Sequence, residues 1–383
     1  MSFRQTLNTL PPNPGAEMLR YGWRRPDILS LGQGEGSRAT PGFINEAAQS
    51  ALESGRTFYG PVLGLPELRQ EISEYYRRIY HTDILTDRIF VTGSGTTAMN
   101  LALTSILEHG DEVVALTPIW KNLLGSVHLA EANTVQVPLD YIPNVGWQLD
   151  LDKFFAAVTD KTKALLFVTP NNPTGWMMSE AEIKAVLAFA RERGIWIISD
   201  EVYGRITYDR PSAPSFLEQA TPNDKLYIVN SFSKTYAMTG WRLGWLIGPS
   251  EAASHIRDVA LYDNMGPPTF LQYGAIAALR DGEAFIAEQI EQWRDNREYL
   301  TQFFAAHPDI DYAAPDAAFY AFFANPSEPD CMTFGRRLID EVALSLAPGC
   351  SFGASTKGYT RLCFAVEEKT LSEALDRLAR SLK

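Results

Sequence analysis

Between Ile89 and Gly248 the hydrophobic positions fall into short runs that do not alternate with polar residues. Runs at 88–92, 112–116, 134–137, 164–169, 195–199, 226–230 and 245–248 are rich in Val, Ile, Leu and Phe, as strands buried on both faces are. Between some of them the pattern changes to a helical period. Residues 96–107 carry apolar Met99, Leu103, Ile106 and Leu107, and 179–192 opens on Ser179 as an N-cap. Glu180 and Glu182 follow in the first turn, where the helix dipole favours a negative charge. The pattern predicts an α/β fold whose large part is a mostly parallel seven-stranded sheet flanked by helices.

Beyond Pro267-Pro268 the pattern is helical from Phe270 to about Phe304, with a break near Asp281-Gly282. Strands are expected near 317–323 and 361–365, and helices near 332–342 and 371–382. This reads as a smaller α/β domain assembled from both chain termini. The expected division is a large domain over 45–275 and a small one over 1–44 with 276–383. No internal repeat or low-complexity segment is visible.

Composition narrows the function classes. The 383 residues are 45% hydrophobic and 21% charged, a globular mixture long enough for more than one core. The net charge of −12 argues against nucleic acid or anionic lipid as a default partner, while leaving room for a local basic pocket. Cys331, Cys350 and Cys363 are too few and too C-terminal for a disulfide framework, which suits a reducing cytoplasm. The opening Met1-Ser2-Phe3-Arg4-Gln5 has no apolar core of a secretory leader, and no apolar run reaches the ~18–20 residues of a membrane span. The five histidines are scattered, without His-Glu-x-x-His or Cys-x-x-Cys spacing, so no metal site is expected.

Ligands of an open α/β sheet bind outside the carboxyl ends of its strands, so the residues that follow each strand carry the candidate chemistry. Gly93-Ser94-Gly95-Thr96-Thr97 leads into a helix and can close backbone N–H groups on a phosphate, although an ordinary tight turn explains it equally well. Trp120 follows the next strand, as a core tryptophan or as a flat surface for a heteroaromatic ring. Pro170-Asn171-Asn172-Pro173-Thr174-Gly175 is a fixed turn that holds the Asn172 amide at a strand end. Asp200 ends a hydrophobic strand, where a carboxylate is costly without a positive partner; Tyr203 follows three residues later. Lys234 stands just past a buried strand, where desolvation can make an amine nucleophilic, although most single lysines are solvated surface charges. Arg242 can turn back on a phosphate beside Ser231 and Ser233. Together these groups describe one ligand: a phosphate cradle, a stacking ring, partners for a phenolic oxygen, an acid for a ring nitrogen and an amine for an aldehyde. That ligand is pyridoxal 5'-phosphate.

The sequence resembles the fold-type I, class I/II aminotransferases, the aspartate-aminotransferase-like family, from Leu31-Gly32-Gln33-Gly34-Glu35 to Tyr359-Thr360-Arg361-Leu362. The most specific stretches are Asn171-Asn172-Pro173-Thr174-Gly175, Ser199-Asp200-Glu201-Val202-Tyr203, Ser231-Phe232-Ser233-Lys234 and Gly240-Trp241-Arg242-Leu243-Gly244. The resemblance implies that Lys234 forms the Schiff base and later carries the Cα proton, and that Asp200 keeps the pyridine nitrogen protonated. Asn172 and Tyr203 would hydrogen-bond the ring hydroxyl oxygen, and Trp120 would stack on the ring. Gly95, Thr96, Ser231, Ser233 and Arg242 would hold the phosphate. It further implies that Tyr59 reaches the neighbouring subunit's phosphate in a homodimer. Arg361, with Gly34 and Asn172, would bind the substrate carboxylate. Two departures stand out: Gly36-Ser37-Arg38 where the family often has a proline and an acid, leaving the role of Arg38 open, and Ala317-Ala318-Phe319-Tyr320 where a glycine is commoner at the first position.

The expected activity is ping-pong transfer of an amino group between an L-amino acid and a 2-oxo acid. The same cofactor residues also serve β-elimination, decarboxylation or racemisation, which sequence does not separate. Ser231-x-x-Lys234 formally fits a serine acyl-enzyme, but no Lys-Thr-Gly companion accompanies it. A regulator built on the same domain would need an added DNA-binding module, and only about 30 residues precede the first motif, too few for one.

Overall fold

The computed structural model describes residues 5–382; Met1–Arg4, part of the segment read above for a leader, and Lys383 lie outside it. The central sheet is built from β1 (Ile89–Thr92), β2 (Glu112–Thr117), β3 (Asn133–Pro138), β4 (Thr162–Val168), β5 (Trp196–Asp200), β6 (Leu226–Ser231) and β7 (Gly244–Ile247). Its strand order is β1-β7-β6-β5-β4-β2-β3. β7 is antiparallel to both neighbours, and the remaining pairs are parallel.

The absence of polar alternation has a direct cause. Alternate residues of six strands enter two different cores; the exception is the run at 134–137, because β3 lies at the sheet edge, where Asn133 and Gln136 are exposed and only Val137 is buried, in one core. Val91, Val114, Leu165, Phe167, Ile197 and Ile228 face one, while Phe90, Val113, Leu166, Ile198, Val229 and Leu246 face the other. Each such side chain contributes about 1.5–3 kcal/mol by leaving water, so both faces must be covered. Helix α1 (Gly42–Glu53) places Ile44 in the first core, and helix α2 (Gly95–Ile106) covers the second with Met99, Leu103 and Ile106. Helix α3 (Glu180–Arg193) returns to the first through Ile183, Val186, Leu187 and Ala190. A full capping box starts α3: Ser179 accepts from the Glu182 N–H, and Glu182 accepts from the Ser179 N–H at 2.7 Å.

The long helical stretch is two helices, α4 (Thr269–Asp281) and α5 (Glu283–Ala305), parted at Gly282. After them come β8 (Asp311–Tyr312), β9 (Tyr320–Ala324), helix α6 (Cys331–Val342), β10 (Ala347–Pro348), β11 (Tyr359–Cys363) and helix α7 (Glu368–Ser381). A second, four-stranded sheet has the order β8-β9-β11-β10 and a third core of its own. The N-terminal segment docks there, with Leu29–Ser30 parallel to Leu344–Ser345 and the Cys363 N–H bonded to Leu31 O at 2.8 Å. Among the described residues no helix is long and apolar enough to cross a membrane.

One expected strand starts late. The run from 317 becomes β9 only at Tyr320, because Ala318 takes φ +59° and its N–H turns to Ile206 O at 2.8 Å. Just before it, Pro315 and Ala317 pack against Gly175, whose φ is +72°. A Cβ there would overlap Pro315 Cβ and stand 2.7 Å from Ala317 O. Gly175→Ala is therefore expected to cost about 2–5 kcal/mol, a left-handed penalty plus overpacking, measurable by denaturant unfolding. A loss under half a kcal/mol would show that the packing relaxes freely.

Candidate active site

Six strands of the central sheet run one way and β7 returns, so the carboxyl ends of β1, β2, β4, β5 and β6 share an edge with the start of β7. A cavity of about 300 Å³ opens there. Its lining takes Gly95 and Thr96 from the start of α2, Trp120 from beyond β2, and Asn172 from beyond β4. Asp200 and Tyr203 come from the end of β5, and Ser231, Ser233, Lys234 and Arg242 from the stretch joining β6 to β7. Gly34, Tyr320 and Arg361 close it from the side of the second sheet.

Local structure explains each placement. Ser94 caps α2 by accepting from the Thr97 N–H at 3.0 Å, which leaves Gly95 and Thr96 in the first turn with N–H groups that the helix cannot use. Gly244 lets β7 run against this turn, since a Cβ at 244 would lie 2.6 Å from the Gly95 nitrogen. Asn171 builds the next turn: Oδ1 accepts from Thr174 Oγ1 at 2.9 Å and Nδ2 donates to Pro118 O at 3.0 Å. The neighbouring Asn172 is thereby presented to the cavity. Ser231 ends β6 and caps the one-turn helix Phe232–Thr235, which points Lys234 inward. Its Oγ donates to Leu243 O at 3.0 Å and lies 2.9 Å from Ser233 Oγ.

Lys234 Nζ donates to the Gly34 carbonyl at 2.6 Å. Arg361 donates from Nη1 to Asn172 Oδ1 at 2.7 Å and from Nη2 to Gly32 O at 2.6 Å. Its guanidinium lies between rings, 4.3 Å from the Tyr320 centroid and 4.9 Å from that of Phe352. Its Nε is buried without a partner among the described residues. Tyr203 and Tyr320 place their hydroxyls 2.7 Å apart. The sequence alone does not single out Tyr320 as a site residue, although it ends the quoted Ala-Ala-Phe-Tyr. Only folding reveals that β9 sets it against Arg361.

Residues 26–378 match the protein family described as aminotransferase class I and II. The chain belongs to that family. The aminotransferase is 34% identical over 373 residues to a probable aspartate/prephenate aminotransferase of Aquifex aeolicus, covering 93% of this chain and 91% of that one. It is also 34% identical over 364 residues to aromatic-amino-acid aminotransferase 2 of Thermococcus litoralis, with 93% and 92% covered. Among solved structures, aspartate aminotransferase from Thermus thermophilus with maleate superposes with a TM-score of 0.92 at 30% identity, over 100% of both chains. Membership of this family implies pyridoxal phosphate as cofactor.

Two anomalies in the aminotransferase cavity fit such a group. The Asp200 carboxylate is buried and accepts from the Val202 N–H at 3.2 Å. Burial pushes it up to about 7, against the pull of that N–H and of Lys234. A cationic N–H opposite it would favour the charged carboxylate. Lys234 is pushed down to about 8 by burial, with Arg361 and Arg242 adding and Cys363 and Glu35 opposing. A neutral amine is thus accessible near neutral pH. Tyr203 is raised well above the usual phenol range, by burial first and then by Tyr320.

Two residues stand apart from the cavity. Tyr59 is 86% exposed on the surface of its own chain. Arg38 turns to α5, donating to Gln292 Oε1 at 3.0 Å and pairing with Glu288 at 3.2 Å. A second cavity of about 490 Å³ continues outward from Gly34, Trp120, Lys234 and Arg361 to Gln33, Lys121, Asn122, Leu19, Leu346 and Phe352.

Proposed function

We propose that this aminotransferase holds pyridoxal phosphate in the 300 Å³ cavity and uses it to move amino groups between L-amino acids and 2-oxo acids. The observation that carries the reading is the meeting of three groups in one lining: a desolvated lysine, a buried carboxylate raised by burial despite that lysine's charge, and an arginine whose buried Nε has no partner among the described residues. When bound, the cofactor supplies an aldehyde for the amine and a ring that accepts electrons. Lys234 anchors it and, as a neutral amine, takes and returns the proton at substrate Cα. Asp200 keeps the ring nitrogen protonated. Asn172 and Tyr203 hold the ring oxygen, and Trp120 covers the ring. The α2 amides at Gly95 and Thr96, with Ser231, Ser233 and Arg242, hold the phosphate.

Arg361, with Gly34 and Asn172 beside it, binds the substrate α-carboxylate through its remaining N–H donors. The outer cavity takes the substrate side chain. Lys121 suits an acidic end and Leu19, Leu346 and Phe352 suit a ring, which accords with relatives named for aspartate, prephenate and aromatic amino acids and with a relative that holds maleate, a dicarboxylate. We further propose a homodimer in which the exposed Tyr59 enters the neighbouring site. Two units, 45–275 and 1–44 with 276–383, remain the proposed division, supported by the separate core of the second sheet.

A panel of amino acids against 2-oxo acids tests the assignment. Amino-group transfer that requires an acceptor is expected, fastest with acidic and aromatic donors. Release of ammonia and pyruvate without any acceptor would instead mark a β-eliminating lyase.

A further inference from the structure

The described residues contain three free cysteines, and two of them meet away from the cofactor cavity. Cys331 is the first residue of helix α6, whose N-cap Asp330 accepts from the Thr333 N–H. Cys350 lies in the short turn Gly349–Ser351 between β10 and β11, and its N–H donates to Cys331 Sγ at 3.4 Å. The thiols also interact side chain to side chain. Cys331 is buried, whereas Cys350 is partly open to solvent and gives a small oxidant a way in.

This turn leads into the site. Ser351 and Phe352 follow Cys350 and line the outer cavity, and Phe352 is one of the two rings against the Arg361 guanidinium. Phe352 also accepts from the Ile119 N–H at 2.8 Å, next to Trp120. The other end of the turn is pinned: a Cβ at Gly349 would overlap the carbonyl oxygens of Thr356 and Tyr359. Phe352 stands two residues from Cys350 and donates its N–H to Gly349 O at 2.9 Å, so Cys350 and Phe352 belong to one hydrogen-bonded turn.

We propose that Cys331 and Cys350 form a reversible disulfide that shifts Phe352 off Arg361 and weakens the binding of carboxylate substrates. The substrate half of this proposal rests on the role given to Arg361 above. A nearby dithiol needs only an oxidant, and hydrogen peroxide is one of suitable size. The Cys331 thiolate attacks one peroxide oxygen, the O–O bond breaks, and the departing hydroxide takes up the proton lost by Cys331 to become water. Cys350 Sγ then attacks the sulfenic sulfur. An S–S bond forms, the S–O bond breaks, and hydroxide leaves with the Cys350 proton as a second water. Two thiols lose two electrons and peroxide gains them. Cys331 is held below the usual thiol range by the Cys350 thiol, with burial and Asp330 opposing and the Cys350 and Gly349 amides assisting, which favours Cys331 as the attacking sulfur. Bond formation draws the two sulfurs to about 2.05 Å, a closure the turn must follow.

The test treats the cofactor-loaded enzyme with peroxide at neutral pH. Alkylatable thiols should fall from three to one, and a peptide crosslinked between Cys331 and Cys350 should appear and vanish with dithiothreitol. KM for the amino donor should rise about three- to tenfold with kcat little changed, the scale of removing one cation–π interaction. Cys331→Ser and Cys350→Ser should keep the reduced enzyme's kinetics and lose the response. Three thiols surviving oxidation, a crosslink with unchanged KM, or the same KM rise in Cys350→Ser would each overturn the proposal. Arg361→Lys in the reduced enzyme keeps the two readings apart: its KM reports on the carboxylate role alone, while the crosslink is read by mass.

Discussion

Lys234→Ala should lower kcat by about 10⁴-fold or more, because it removes both the anchor for the cofactor aldehyde and the base at substrate Cα. No neighbour can replace it. Tyr203 and Tyr320 have their phenols raised above their usual range, so neither offers an anion near neutral pH, and Asp200 is committed to the ring nitrogen in the proposed arrangement. The fold should survive the change. Lys234 is a buried cation below about pH 8, and the substitution takes away one hydrogen bond, from Nζ to Gly34 O. Steady-state rates with the visible spectrum of the bound cofactor decide the matter. A variant within tenfold of wild-type turnover, or one with an unaltered spectrum, would sink the assignment.

Asp200→Asn should act in opposite directions on activity and on the stability of the cofactor-free protein. Activity falls by about 10²–10⁴-fold, since an amide cannot stabilise a protonated ring nitrogen as a carboxylate does. Without cofactor, the folded pKa of Asp200 is about 7 against an ordinary 3.8, so the folded state holds a proton that the unfolded chain has released. Stability contributed by this group therefore falls as pH rises across that window, and the cost is full above about 7. The neutral amide carries no such cost. The cofactor-free variant should gain little near pH 4 and on the order of a few kcal/mol at pH 8, read from melting curves at both pH values. A variant less stable than wild type at pH 8, or one that keeps full activity, would contradict the pairing of Asp200 with a cationic ring.

Much of the fold and site is legible along the chain because the relevant physics is local. Seven apolar runs announce a sheet covered on both faces, and Ser179 with Glu182 announces the start of α3. The residues beyond each strand can be named because a parallel sheet delivers its exits to one edge. Harder to read are features set by long-range contacts. Tyr320 gains its place because β9 pairs with β11, which registers Phe322 opposite Arg361. The late start of β9 depends on Ala318 bonding to Ile206, more than a hundred residues earlier. Along the chain Cys331 and Cys350 read only as spare thiols in a reducing compartment. They become a pair because the turn after β10 comes to rest on the first residue of α6.

The sequence by itself determined the chemistry available: one lysine, one aspartate, two arginines and a set of hydroxyls and amides, most of them at or just beyond the end of a strand. It also determined the class of sheet, since burial on two faces leaves its mark in every run but that of the edge strand β3. Tertiary structure decided which charges would be abnormal. Lys234 and Asp200 are ordinary side chains until strands, helices and the Gly34 segment exclude water from around them. That exclusion makes the lysine a base and raises the aspartate, whose charged form a cation opposite it would favour. Desolvation is a property of the assembled cavity: the strand-end positions of Asp200 and Lys234 point to it, and only the elements packed around them complete it.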